Sequence, residues 1–381
     1  MTGKRFIAFI FLFIILYIPA NSDSNNRDKL PRLDIRSDED LIFIPSYCFY
    51  DKASNTYHIR FHAWVYEPET SSKKRKLLLS TISKSLDIDE NEINATLFEQ
   101  RARYLLYDNE KNKWVSVNYG GDNYNLGVTD KTGHTERELV LPPEIMKKGL
   151  SPDVNFEDFR IIPSWISFRT GTGHDRTRIF EGKAKYLPPE GVIIVSDIDD
   201  TIKVTEVKNK KRLLENTFLN PYEAVKGMSA LYRSWQTEGA DFFYLSASPW
   251  QLYEPLTQFL SAEEFPDGLM QMKVFDLPSG VKIILDSAEK VKIPALRKLM
   301  KSFPDRKFIL IGDSGERDPE IYGRIASEFG DRIEWILIRN VSGESPDSKR
   351  FRTALKKFPR EKFRLFKNPN ELYFINVSEI K

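Results

Sequence analysis

Cysteine is nearly absent. Cys48 is the single one in 381 residues, which excludes an intramolecular disulfide and any zinc site built on several thiolates. Histidine is scarce too, with four residues at 58, 62, 134 and 174. His58 and His62 are four apart but lie in a segment of period two, where both share one face of a strand. A structural role there outweighs a metal-binding one. Neither sign of charge dominates: Lys+Arg 57 against Asp+Glu 55 leaves a net +2, a balance with no broad nucleic-acid footprint. No internal repeat, low-complexity tract or glycine-rich phosphate loop occurs. The longest apolar run, Phe6–Ile18, falls short of the ~20 residues of a membrane span.

What is present reads first as an export signal. Lys4 and Arg5 precede that run, and Ala20-Asn21-Ser22 follows it with small residues at the spacing a signal peptidase accepts. The expectation is a signal peptide over 1–22, cleaved after Ser22, and an exported (periplasmic, secreted or lumenal) protein, or a membrane-anchored one if the run is kept. No cysteine stands directly after it, so no lipoprotein anchor is expected. Residues 23–40 are polar and charged and read as a flexible leader.

From Leu41 the texture is globular, in keeping with 41% hydrophobic and 29% charged residues. Ile42–Pro45 and the alternating Thr56–Tyr66 predict strands. Leu77–Leu86 and Glu92–Arg103 predict helices. Short strands are expected at Tyr104–Tyr107, Trp114–Asn118, Asn125–Thr129, Arg137–Leu141, Phe159–Pro163 and Arg178–Tyr186, several separated by turn clusters such as Gly120–Asn123. Together they predict a β-sandwich with a helical insertion over 41–187. Pro188-Pro189-Glu190-Gly191 marks a boundary. Over 188–381 short, wholly apolar runs (Val192–Val195, Phe242–Leu245, Phe308–Ile311), with Ile333–Ile338 as a fourth strand candidate, alternate with helical patterns at Glu223–Gln236, Pro249–Leu260 and Pro294–Lys301. Apolar runs of this kind suit parallel strands covered on both faces, and the alternation predicts a doubly wound α/β domain. A chain begun near Arg178 is expected to keep every catalytic group.

Ligands of such sheets bind at the carboxyl ends of the strands, and three of those ends carry polar groups. The first runs into Ser196-Asp197-Ile198-Asp199-Asp200-Thr201, the second into Ser246-Ala247-Ser248-Pro249, the third into Gly312-Asp313-Ser314-Gly315 with Asp318 beyond. Lys292 precedes the helix leading into the third. A carboxylate can attack phosphorus and form an acyl phosphate if a cation screens its charge. Oxygen ligands suit Mg²⁺, expected on Asp197, Asp313 and the backbone carbonyl of Asp199. Asp199 can protonate the leaving oxygen and then activate water. Ser246 and Thr201 are expected at the substrate phosphate. Lys292 is expected there too, neutralising the pentavalent state, with Asp200, Ser248 and Asp318 in supporting positions. Singly, each group has a plain explanation: a cap for Ser246, a solvated lysine for Lys292, a turn for Gly312-Asp313. Their conjunction in this order carries the reading.

The segments Gly191–Lys203, Thr217–Pro221, Gly227–Trp235, Tyr244–Tyr253 and Phe308–Tyr322 resemble the actin-patch-type phosphatidate phosphatase family, within the haloacid dehalogenase superfamily, over about 178–345. Spacing to Phe303-Pro304 in the family pattern selects Lys292 over Lys290 and Lys298. The resemblance implies Mg²⁺-dependent hydrolysis of phosphatidate to diacylglycerol and phosphate. The intervals Asp197–Ser246 and Ser246–Lys292 hold no large cap domain, so the site is expected to be open. Basic and aromatic residues stand there instead, Lys203, Lys208, Lys210, Lys211, Arg212, Trp250 and Tyr253, and the Lys208–Arg212 run is expected to favour an anionic lipid surface, although a solvated charged loop explains it equally well. The alternatives are a phosphatase of soluble phosphomonoesters, or a surface-binding protein with an idle phosphatase fold.

Overall fold

The computed structural model describes residues 34–68, 80, 95–150, 165–171, 178–274 and 288–380. The signal-like run, the leader up to residue 33, Leu77–Leu86 apart from Ser80, residues 92–94, Phe159–Pro163 and His174 lie outside them. Among the described residues no helix is long and apolar enough to cross a membrane.

The first part of the chain is β-rich, as expected, but its strands join one hydrogen-bonded sheet rather than the two of a sandwich. Its hub is β3 (Thr56–Glu67). One edge of β3 pairs with β7 (His134–Leu141); the other pairs first with β2 (Ser46–Asp51) and then with β1 (Asp40–Ile44). From β2 the sheet continues through β9 (Glu181–Tyr186), β8 (Trp165–Thr170), β5 (Trp114–Tyr119) and β6 (Asp122–Val128), while the short β4 (Asp108–Asn109) pairs with β3. The sheet curls until Thr135 of β7 donates to the Leu126 carbonyl of β6. It encloses Tyr57, Ile59, Phe61, Ala63, Val65, Val117 and Phe168. A single long strand able to pair on both edges replaces the inter-sheet gap, which strand lengths alone could not reveal. Tyr104–Tyr107, expected as a strand, is instead a 3₁₀ turn over Arg103–Leu106 that continues helix α1 (Ala95–Ala102). A short apolar run does not distinguish the two.

Six parallel strands form a second sheet in the order β12-β11-β10-β13-β14-β15. They are β10 (Val192–Ser196), β11 (Asp241–Pro249), β12 (Gly268–Lys273), β13 (Lys307–Asp313), β14 (Ile333–Arg339) and β15 (Phe363–Phe366). All of Val192–Ser196 is buried, because both faces are covered. Helices α4 (Met228–Thr237) and α5 (Tyr253–Ala262) pack on one side, with Ile194, Ile309 and Tyr244. Helices α6 (Glu289–Ser302), α7 (Asp318–Phe329) and α8 (Lys349–Ala354) pack on the other, with Ile193, Val195 and Leu310. Strands β12 and β15 carried no clear signal. Leu-Met-Gln-Met lacks β-branched residues and Phe363–Phe366 is only four long. Helix α4 starts at Met228 rather than Glu223, because Glu223 and Val225 instead exchange backbone hydrogen bonds with Val204 and Ile202.

The two sheets share a core. Ile44, Trp64, Tyr66, Phe98 and Leu105 from the β-rich part cluster with Ile198, Ile202, Trp250 and Leu256. This explains why the strict alternation of β3 ends at Phe61, beyond which both of its faces are buried. Ion pairs Lys298–Glu136 (2.6 Å) and Lys185–Asp241 (3.0 Å) flank the contact. A chain begun near Arg178 keeps the catalytic groups but loses those five apolar side chains, each contributing roughly 1.5–3 kcal/mol when fully buried. We expect such a chain to lose cooperative unfolding. A sharp thermal transition equal to that of the whole chain would show the shared core to be dispensable.

Candidate active site

Strand order reverses direction at β10, so its carboxyl end and that of β13 open a crevice. Asp197 continues the ladder, its N–H donating to the Ile311 carbonyl (2.9 Å). Ile198 and Ile202 are fully buried and anchor the turn that follows. Asp200 sits in the left-handed region at φ 55°. Its carboxylate accepts the N–H groups of Thr205, Glu206 and Val207 at 2.9, 2.8 and 2.7 Å. Asp200 thus shapes the loop.

The Asp197 carboxylate is buried and held at both oxygens: Lys292 Nζ lies 2.6 Å from Oδ1 and the Thr201 hydroxyl donates to Oδ2 at 3.0 Å. Thr201 was expected at the substrate phosphate; here it orients Asp197. Lys292 was expected before its helix. It lies in the first turn of α6, which begins ahead of Pro294, and it is fully buried, whereas Lys290 and Lys298 are exposed. Its Nζ also meets Asp318 Oδ1 at 2.6 Å and Glu316 Oε2 at 3.3 Å.

Asp313 ends β13. One oxygen accepts the N–H groups of Gly315 and Glu316; the other is buried without a hydrogen-bond partner. Asp318 Oδ2 accepts the Asp313 N–H (3.3 Å), an approach that only glycine at 312 allows, since a Cβ there would lie 2.2 Å from that oxygen. Asp197, Glu316 and Asp318 each place an oxygen within 4.8 Å of the others. Asp313, expected as a ligand, stands outside that trio. Burial pushes Asp197 well above the usual carboxylate range; Lys292 opposes this, and Asp318, Glu316 and Asp313 push further. Asp313 is raised by burial and then by Asp318 and Glu316. Burial would lower Lys292, but Asp197, Asp318 and Glu316 outweigh it and hold the ammonium charged. Four carboxylates around one ammonium leave an excess of negative charge and an orphaned oxygen, which a hard divalent cation would satisfy.

Asp199 lies apart from that cluster. Oδ1 meets Lys203 Nζ at 2.8 Å and accepts the Thr205 hydroxyl at 2.8 Å. Oδ2 accepts Ser248 Oγ at 3.1 Å and, more weakly, Ser246 Oγ at 3.5 Å. The Ser248 N–H in turn donates to Ser246 Oγ (3.0 Å). Burial alone would raise Asp199, but the charge of Lys203 and the bonds from Lys203, Thr205 and Ser248 outweigh it, leaving Asp199 below the ordinary value.

Sequence reasoning missed Glu316 and misplaced Lys203. Glu316 stands three residues after Asp313, in the same turn. Lys203 is four residues after Asp199 and buried at 2% exposure beside Tyr222, not on the surface. Trp250 is equally buried, which removes it from the basic and aromatic group expected at the open site. Of that group, Lys208, Lys210, Lys211 and Arg212 are exposed.

Fold and site together define a class: a parallel α/β protein with a lysine-braced cluster of carboxylates at the carboxyl ends of its central strands. Residues 192–340 match the family model of the phosphatidate phosphatase APP1 catalytic domain. The chain is 37% identical over 168 residues to phosphatidate phosphatase APP1 of Saccharomyces cerevisiae, a match covering 43% of this chain and 28% of that protein. It is 32% identical over 265 residues to an uncharacterized protein of Schizosaccharomyces pombe, covering 65% of this chain and 41% of that one. The chain thus spans less than half the length of either relative.

Proposed function

We propose that this chain is a haloacid-dehalogenase-type, Mg²⁺-dependent phosphomonoester hydrolase whose substrate is phosphatidate. The observation that carries the reaction type is the buried Asp197 carboxylate, gripped by Lys292 and Thr201. Asp197, Asp313 and the Asp199 backbone carbonyl would hold Mg²⁺, with Glu316 and Asp318 beside them; bound there, the ion screens the negative charge of nucleophile and phosphate.

An Asp197 oxygen attacks phosphorus while the P–O bond to the leaving alcohol breaks. Asp199 gives its proton to that oxygen. Water then attacks the aspartyl phosphate and returns a proton to Asp199, releasing phosphate and restoring Asp197. At rest Asp199 is held below the ordinary carboxylate value; a phosphate dianion beside it would raise its affinity for the proton it gives in the first step. Ser246 and Ser248, hydrogen-bonded to Asp199 Oδ2, would bind phosphoryl oxygens.

The lipid reading rests on the named yeast relative and on Lys208, Lys210 and Lys211, which are exposed and in no ion pair among the described residues. They adjoin Val207, whose N–H is fixed to Asp200. A lysine near an anionic bilayer contributes ~1 kcal/mol, so changing all three to glutamine should weaken binding to phosphatidylserine-containing vesicles by about a hundredfold. Turnover of a soluble phosphomonoester should hold. Vesicle sedimentation and parallel kinetics measure both, and equal binding by the variant would remove this support. The test of the function itself is purified protein with Mg²⁺ on phosphatidate in mixed micelles beside a panel of soluble phosphomonoesters; preference for the panel would overturn the lipid assignment. Export after cleavage behind Ser22 is part of the proposal, and mass spectrometry of the native protein should find an N-terminus near Asp23.

A further inference from the structure

The turn Ser314–Glu316 is held from two sides. From inside, the Asp313 carboxylate accepts the N–H groups of Gly315 and Glu316. From outside comes Arg350 of α8, ten residues beyond the segment that matches the family model. Its Nη1 donates to the Ser314 carbonyl (2.6 Å) and its Nη2 to the Glu316 carbonyl, so the guanidinium straddles Gly315. The same group meets Glu320 Oε1 and Oε2 at 2.9 and 3.1 Å and Glu344 Oε1 at 3.0 Å. Two carbonyls and two carboxylates thus converge on one planar cation, an arrangement suited to arginine's rigid fork.

The helix that carries Arg350 is itself fixed. Ser348 caps it, accepting the Phe351 N–H, and Phe351 is fully buried. Gly323 of α7 lets the Ala354 carbonyl lie where a Cβ would stand 2.0 Å away. Ser314 adds a second tie, its hydroxyl accepting the N–H groups of Val341 and Ser342 at 3.0 and 2.9 Å.

We propose that Arg350 is a positioning residue of the Mg²⁺ loop, clamping the turn whose amides aim the Asp313 carboxylate and whose Glu316 side chain reaches Lys292. The inference rests on the Mg²⁺ reading given above. Arg350 bonds to Ser314, Glu316, Glu320 and Glu344 and not to Asp197. Its loss frees two carbonyls, leaves Glu320 and Glu344 without their shared cation, and lets the Asp313 oxygens wander. Groups that orient metal ligands typically govern affinity by ~10–100-fold, and the loss here should fall in that range.

The experiment compares wild type with Arg350→Met and Arg350→Lys, full chain, titrated with Mg²⁺. Three quantities are read: the Mg²⁺ concentration for half-maximal turnover, the Mg²⁺-induced rise in melting temperature, and Mg²⁺ binding by calorimetry without substrate. Both variants should need roughly 10–100-fold more Mg²⁺ by all three measures, while kcat at saturating Mg²⁺ and the substrate KM stay within a few-fold. Lysine keeps the charge but cannot span both carbonyls, so it should rescue folding and not Mg²⁺ affinity. If Arg350→Met fails to fold, Arg350→Lys decides. A folded variant with wild-type Mg²⁺ affinity overturns the proposal. A wild-type protein with no Mg²⁺ response overturns instead the metal reading on which it rests.

Discussion

Asp197→Asn should leave the protein folded and abolish turnover. The amide oxygen can still accept from Lys292, and the amide nitrogen can donate to Thr201, whose hydroxyl accepts as readily as it donates. The packing is therefore kept. What is lost is the attacking charge, because a neutral amide is a very poor nucleophile and a weaker metal ligand. Asp199→Asn should differ in kind. It keeps the nucleophile but removes the proton donor and the later base, a loss of typically ~10²–10⁴-fold. A good leaving group should partly rescue its first step. The aspartyl phosphate would then hydrolyse slowly and accumulate on Asp197. Intact-protein mass after mixing with substrate, beside turnover for both variants, is the measurement. Normal Mg²⁺-dependent turnover by Asp197→Asn would sink the mechanism.

Lys292→Met should cost both stability and catalysis. The ammonium is fully buried and bonded to Asp197, Glu316 and Asp318. Removing one partner of such a buried pair costs ~3–5 kcal/mol, because the carboxylates remain uncompensated. If Lys292 neutralises the transition state as proposed, its loss should cost a further ~10²–10³-fold in kcat.

The pH dependence has a definite sign. Burial, with Asp318 and Glu316, raises Asp197 and Asp313 above their unfolded values. Such groups add stability that is fully present below the unfolded carboxylate value, near ~4, and is lost as pH rises through the raised folded values. Without Lys292 they rise further. The deficit of the variant should therefore be largest at neutral and alkaline pH and shrink toward pH 5, and Mg²⁺ should recover part of it at pH 8. Urea unfolding at the two pH values, with and without Mg²⁺, measures this. A deficit that grew on acidification would contradict the charge assignment.

The placement of Lys208–Arg212 against that of Lys203 shows where reading a chain stops. All five are basic residues within one short stretch. Four are exposed, but Lys203 is drawn inward by Asp199 and the Tyr222 ring. Hydrophobic pattern could not separate them, since the partner of Lys203 lies in a turn whose path depends on Asp200. Likewise β3 read correctly as an alternating strand, but not as a strand paired on both edges and covered on both faces at its second half.

By itself the sequence determined the parallel strands at Val192, Phe242 and Phe308, because short, wholly apolar runs recurring between helical patterns suit strands covered on both faces, and Ile333–Ile338 follows them with the single polar Glu334. It also determined the carboxylates and hydroxyls at three of their ends, because side chains that follow such strands must emerge at one edge. Tertiary structure alone decided that Thr201 grips Asp197, that Glu316 joins Lys292, and that Arg350 clamps the acidic turn. It also decided that the β-rich part shares its core with the catalytic one. These contacts join residues far apart in the chain or at turns of irregular path, where no period exists to be read and only close packing selects the partner.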